Sequence, residues 1–254
     1  MNEDYGPIAV FFSLVFLFSV PFWILGEIFP VQLLPGLPLG ALVVFAPMLA
    51  GLTSALRMGR LPAALQLLKR PCDLGRVRNK NWFFLFVLFN PAVALLVYGY
   101  LRLGTASLPL PGPFTWMTPL MCLSFFIAAL AEEIGWTGVA TGPLQRRLGI
   151  LPAGLILGLV WTAFHLIVLR QADRSLEWIA WWSLGTFSLR IMMVWLYARA
   201  GASVCAAAIF HAMINVSWQL FPVNGSLYDP RLFSLAALIL LLIIVSIGRP
   251  LRRE

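Results

Sequence analysis

Along the chain, apolar runs of about 20 residues alternate with short polar joints, and that run length is what a helix needs to cross the hydrocarbon core of a bilayer. The runs cover residues 8–29, 38–56, 82–101, 116–136, 151–169, 179–198, 202–221 and 232–248. Joints bearing proline and glycine separate them, among them Pro35-Gly36, Pro111-Gly112-Pro113 and Gly142-Pro143. Proline lacks an amide donor and glycine adopts backbone conformations closed to other residues, so both interrupt helices. No joint is long enough for a second domain, and no internal repeat is visible. The pattern predicts an all-α polytopic membrane helical bundle of about eight transmembrane helices, one integral membrane domain over residues 1–254.

Composition agrees. Of 254 residues, 61% are hydrophobic and 11% charged, against about 25% charged in soluble domains; the mean hydropathy is +0.89. The net charge of +8 does not point to nucleic acid, because no basic run is interleaved with stacking aromatics in a polar segment. Topology explains it better. With eight spans, one side of the membrane collects Arg57, Arg60, Lys69, Arg70, Arg76, Arg78, Lys80, Arg146, Arg147, Arg199, Arg249, Arg252 and Arg253, 13 of the 18 basic residues. The opposite side has Arg102, Arg170, Arg174 and Arg231, while Arg190 falls within a span. By the positive-inside rule the chain is a multi-pass cell-membrane protein with both termini cytoplasmic, its basic loops against anionic lipid headgroups. Glu3 and Asp4 precede the first apolar run, unlike the basic start of a secretory signal peptide, so the first helix is expected to be retained. Cys72, Cys122 and Cys205 are odd in number and far apart, which suits neither a disulfide framework nor a thiolate metal cage.

Against this apolar background a few polar residues stand out. An ionisable group at membrane depth costs about 2.5 to 3.5 kcal/mol on insertion scales, which makes it a functional candidate by default. Glu132 and Glu133 lie in the fourth span, His165 in the fifth, Arg190 in the sixth, and His211 with Asn215 in the seventh. Counting about 1.5 Å per residue from helix ends near Gly142, Leu151, Arg199 and Gly201 puts Glu132, Arg190 and His211 roughly 13 to 15 Å deep and His165 roughly 20 Å deep. Four helices could therefore bring these groups to one level. His211 and Asn215 share a helix face, whereas Glu132 and Glu133 diverge and are expected to differ in role.

Carboxylates and imidazoles around a cavity suit activation of water, directly as general bases or on a metal, for which both are ordinary zinc ligands. Asparagine and a second histidine are suitable donors to an oxyanion. Peptide-bond hydrolysis fits this inventory. Taken singly each residue has a structural explanation: a packed histidine, an interhelical asparagine, a buried ion pair. Trp136, Trp161, Phe164 and Phe210 read as packing, and Trp178, Trp181 and Trp182 near Glu177 as an interfacial belt.

The segments Ala131-Glu132-Glu133-Ile134-Gly135-Trp136-Thr137-Gly138, Trp161-Thr162-Ala163-Phe164-His165 and Phe210-His211-Ala212-Met213-Ile214-Asn215 resemble, in order and spacing, the motifs E-E-x-x-x-R, F-x-x-x-H and H-x-x-x-N. These motifs belong to the CPBP intramembrane proteases, which include type II CAAX prenyl proteases and proteins linked to bacteriocin processing or immunity. The resemblance covers roughly residues 115–220. It implies a bundle with an intramembrane cavity open to the cytoplasm and cleavage of a membrane-associated peptide substrate, prenylated CAAX peptides being the archetype. It further implies that Glu132 and His165 activate a water, that His211 and Asn215 stabilise the oxyanion, and that Glu133 supports them. The family leaves open one divalent metal such as Zn2+, for which Glu132, His165 and His211 would be the ligands; no other cofactor is expected.

Two positions depart from the motifs. Trp161 replaces a phenylalanine and keeps a large aromatic. Thr137 replaces the arginine, which removes the expected cationic partner of the glutamates. Arg190, at similar depth, is expected to supply that charge to Glu133, with Thr137 and Trp136 as supporting neighbours. The missing motif arginine also leaves room for a second reading, an inactive immunity or scaffold protein that uses the cavity for binding. A proton-relaying transporter is a third, but the inverted halves common in such folds are not evident. The sequence does not read out an oligomeric state.

Overall fold

A computed structural model describes residues 6–105, 108, 116–221 and 225–247. Glu3, Asp4, Pro111-Gly112-Pro113, Arg249, Arg252, Arg253 and the side chain of Arg60 lie outside the described residues. In chain order, α1 (Gly6–Ile28) leads into a small hairpin of β1 (Gln32–Leu34) and β2 (Leu37–Pro38), turned at Pro35-Gly36. A 3-10 segment, Leu39–Phe45, then feeds α2 (Ala46–Lys69). After two 3-10 turns, Arg70–Cys72 and Leu74–Arg76, come α3 (Asn81–Gly104) and α4 (Met117–Gly135). A π-helical stretch, Trp136–Thr141, joins α4 to α5 (Gly142–Leu148). The chain continues through α6 (Ile150–Gln171), α7 (Leu176–Arg199), α8 (Val204–Gln219) and α9 (Pro230–Ile247).

The molecule is a polytopic helical membrane bundle. Among the described residues seven helical stretches are long and apolar enough to cross a bilayer, and Val204–Gln219 is a shorter apolar helix. At about 1.5 Å per residue α8 reaches only some 24 Å, so the seventh predicted span is shorter than expected. Two other boundaries differ from expectation. The second helix runs on to Lys69, with Pro62 inside it. The break expected at Gly142-Pro143 is absent: Pro143 falls in the first turn of α5, where its missing amide proton costs no helical hydrogen bond, and the wider π turns precede it. Depth counted from Gly142 therefore underestimates how far Glu132 lies from that end of the helical stretch.

Side-chain ties show the passes alternating. At one end Arg70 donates to the Gly138 carbonyl and the Tyr197 hydroxyl, and Arg76 donates to the Gly201 carbonyl. At the other end Gln171 donates to the Trp23 carbonyl and Ser234 to the Trp181 carbonyl. The loops after α2, α5 and α7 thus share one end, and those after α6 and α8 the other.

Burial is inverted relative to a soluble protein. Large apolar side chains such as Leu17, Leu95, Leu103, Leu159 and Leu242 face outward, as lipid contact requires. Inside, α6 packs along α7, α7 along α9, and α8 against both α3 and α4. Two apolar cores result. One, built on α3, α7, α8 and α9, includes Phe86, Met192, Met193 and Phe210. The other, built on α1, α2, the π segment and α6, includes Phe11, Trp136, Trp161 and Phe164. The glutamates of α4 sit on the seam between them.

Candidate active site

The end of α4 is fixed by close approach to α2. A Cβ on Gly135 would lie 2.3 Å from the Pro47 carbonyl oxygen, so only glycine lets the helices come this close. One turn or less before it, Glu132 and Glu133 are almost wholly enclosed, at 2% and 0% exposure. The start of α8 is fixed by capping. Ser203 accepts from the Ala206 amide, and Asp73 accepts from the Ser203 hydroxyl at 2.7 Å and from the Val204 and Cys205 amides at 2.9 and 3.1 Å. Satisfying these otherwise orphaned donors sets the register of α8 and hence of His211, two turns on.

Glu133 is the most heavily bonded group. Its Oε1 accepts from Arg190 Nη1 at 2.7 Å and from His211 Nδ1 at 3.0 Å, and its Oε2 accepts from the Thr137 hydroxyl. The pairing expected of Arg190 is present, and both side chains are fully buried. The Arg190 guanidinium also lies 5.2 Å from the Trp161 ring centroid, a cation–π distance. Thr137, which stands where the motif has arginine, thus contributes a hydroxyl to the same carboxylate.

Glu132 points elsewhere. Its Oε2 accepts from the indole nitrogens of Trp161 at 2.9 Å and Trp136 at 3.2 Å. Its Oε1 lies 3.9 Å from His211 Nε2, too far for a direct hydrogen bond and a separation that one water can bridge. His165 donates from Nδ1 to the Trp161 carbonyl at 2.7 Å. Both histidines therefore commit Nδ1–H to an oxygen that can only accept, which in the neutral ring leaves the lone pair on Nε2.

Trp161 is central to this arrangement. Its ring meets those of His165 and His211 edge-on at 5.2 and 5.0 Å, while its indole N–H holds Glu132. The expectation that Trp161 and Trp136 only pack is corrected: both are hydrogen-bond donors to the carboxylate. The signal was legible, since a tryptophan in a phenylalanine position adds an N–H that phenylalanine lacks. Trp182, read as part of an interfacial belt, instead reaches His165, with centroids 5.4 Å apart. Asp73 gave no sequence signal, because a capping carboxylate in a basic loop looks like any surface acid.

Asn215 lies one turn beyond His211, half-buried, and its side chain makes no hydrogen bond to the cluster among the described residues. Glu132, His165 and His211 were the expected metal ligands; among the described residues no three His, Cys, Asp or Glu side chains are arranged to hold a metal ion. Two indoles hold Glu132 Oε2, so Glu132 Oε1 and the Nε2 atoms of His165 and His211 are the positions that would hold a divalent ion, and no step below passes through one. Two cavities of about 490 and 280 Å3 open at the end that carries Arg70 and Arg76, and no residue of the cluster lines either. The cavity expected around the glutamates is neither of these.

Comparison with known proteins bears on the same helices. The family model described as type II CAAX prenyl endopeptidase Rce1-like matches residues 114–217, the stretch that contains Glu132, Glu133, His165, Arg190, His211 and Asn215. A curated relative, CAAX prenyl protease 2 of Methanococcus maripaludis, is 24% identical over 170 residues, covering 62% of this chain and 62% of that one. The chain thus spans less than two thirds of that relative's length. Over residues 114–217 the chain is thus similar to the type II CAAX prenyl endopeptidases, in the helices that carry the buried cluster.

Proposed function

We propose that the chain is an intramembrane endopeptidase that hydrolyses a peptide bond of a membrane-associated substrate of the prenylated CAAX type. The observation that carries this reading is the buried convergence of Glu132, Glu133, Arg190 and His211, which no packing requirement accounts for in lipid. A water between Glu132 Oε1, His165 Nε2 and the substrate carbonyl gives its proton to Glu132 as its oxygen attacks the carbonyl carbon. The resulting oxyanion accepts from Asn215 and from His211 Nε2, which donates only when it holds a proton, since Nδ1 is committed to Glu133. Collapse of the tetrahedral intermediate breaks the C–N bond, and the proton held by Glu132 passes to the departing amine. Glu133, fixed by Arg190 and Thr137, is a positioning residue that sets the ring orientation of His211.

Arg190, which pairs with Glu133 and supplies a cation that Thr137 does not, favours this reading over an inactive scaffold. The basic bias of the loops supports an orientation with both termini in the cytoplasm and substrate entry from that side. The test is cleavage of a prenylated CAAX-type peptide by full-length protein in lipid vesicles. Glu132→Ala, His165→Ala and His211→Ala each lose cleavage while keeping a wild-type helical circular dichroism spectrum. Cleavage retained by all three variants would end the proposal.

A further inference from the structure

The end of the bundle that carries Arg70 and Arg76 holds a feature that peptide hydrolysis does not use. The cavity of about 490 Å3 is lined by Arg76, Arg78, Asn79, Trp82, Arg199 and Gly201. Three guanidinium groups thus share one concave site beside a tryptophan. Among the described residues neither Arg76 nor Arg78 forms an ion pair with a carboxylate. The nearby acid, Asp73, is committed to the Ser203 hydroxyl and the first amides of α8. Arg76 and Arg78 therefore bring positive charge to the cavity.

The site is held in shape. Val77, between the two loop arginines, is fully buried in the apolar core built on α3, α7, α8 and α9. Arg76 Nε donates to the Gly201 carbonyl at 3.0 Å. Gly201 has φ +84°, and a Cβ there would lie 2.2 Å from the Arg76 carbonyl, so the loop after α2 and the turn between α7 and α8 lock together. Trp82 meets Trp195 edge-on at 5.9 Å, and the Arg199 guanidinium lies 4.9 Å over Trp195. Aromatic walls with arginine at the mouth of a helical bundle suit a ligand that is apolar at one end and anionic at the other.

We infer that this cavity binds a phosphate group, through Arg76 and Arg78, at the level of the lipid headgroups. Arginine forks match phosphate oxygens bidentately, and basic pockets between membrane helices take phosphate-bearing headgroups. The inference does not rest on the proposed peptidase activity. Its ligand would sit on the turn that joins α7, which carries Arg190, to α8, which carries His211.

Native mass spectrometry of the full chain in a maltoside detergent provides the test, with phosphatidic acid and phosphatidylglycerol as probes and a neutral diacylglycerol as control. The wild type retains one phosphate-bearing lipid and no diacylglycerol. Arg78→Gln, which breaks no side-chain hydrogen bond among the described residues, lowers that retention about fivefold, and Arg76→Gln with Arg78→Gln lowers it further. Arg147→Gln, a charge change outside the cavity, leaves it unchanged. A second arm adds inorganic phosphate: displacement of the lipid only at high millimolar concentration assigns the site to a headgroup, whereas a tight phosphate adduct without lipid retention assigns it to soluble phosphate. Equal retention by the wild type and both cavity variants, equal loss in Arg147→Gln, or no adduct with either probe would overturn the inference.

Discussion

Two arginine–glutamate pairs in this molecule are chemically alike and physically opposite. Arg190 and Glu133 meet at 2.7 Å with neither side chain exposed. Arg231 and Glu177 come to 3.9 Å at the far end of the bundle, 57% and 75% exposed, with Arg231 also on Asp229. In water such a pair contributes little, because solvent screens the attraction and two mobile side chains must be held. Out of water the attraction is strong but so is the desolvation cost, and removing one partner strands the other. Burial therefore turns an ordinary pair into one that cannot lose a member. The inner pair is retained for what it positions, and the outer pair can be lost without consequence.

The largest expected effect comes from stranding Glu133. Arg190→Leu should destabilise the protein by about 3 to 5 kcal/mol, read as a lower melting midpoint in detergent, and should abolish cleavage of a CAAX-type peptide. Placing the cation back in its motif position, as Thr137→Arg with Arg190→Leu, should recover part of both quantities. No recovery in either would mean that Arg190 does more than supply charge to Glu133.

A smaller effect is expected from Trp161→Phe, which restores the motif residue, keeps the aromatic volume and removes the indole donor to Glu132. The loss of one hydrogen bond to a carboxylate corresponds to about a tenfold fall in kcat, with KM unchanged. A change in KM alone would assign Trp161 to substrate binding instead.

The outer pair sets the low end. Burial alone would raise the Asp229 carboxyl, but hydrogen bonds from the Arg231 side chain and from the Arg231 and Leu232 amides hold it below its ordinary value. A lowered carboxylate contributes stability that is present at neutral pH and lost as pH falls through its folded-state pKa. Arg231→Gln should therefore lower the melting midpoint at pH 7 only slightly, as loss of an exposed pair does, and that small difference from wild type should vanish as pH falls through the Asp229 pKa. A large loss at pH 7 would contradict the contrast drawn between the two pairs.

Much of the architecture was legible because lipid demands continuous apolar helices, so each of the expected spans corresponds to a helix. What was not legible depends on local geometry. Gly142-Pro143 looks like a break and is not one, since a π segment carries the helical path through it. Chain position could bring Glu132, Glu133, Arg190, His165 and His211 to a common depth but could not say which atoms meet. That Glu133 takes Arg190 and His211 while Glu132 takes two indoles follows from the roughly 100° turn between adjacent helix positions and from neighbours contributed by other helices. Asn215 shares the face of His211 as spacing requires, yet its side chain remains unbonded within the cluster.

The central claim is that Glu132 activates water for peptide hydrolysis within the bundle. Its most direct test is incubation of a prenylated CAAX-type peptide with vesicle-reconstituted wild type and Glu132→Gln in H2(18)O, with products analysed by mass spectrometry. The wild type should yield a shortened peptide bearing one heavy oxygen in its new carboxylate, and Glu132→Gln should be slower by about 10²- to 10⁴-fold at an unchanged melting midpoint. Wild-type rates from Glu132→Gln would contradict the account.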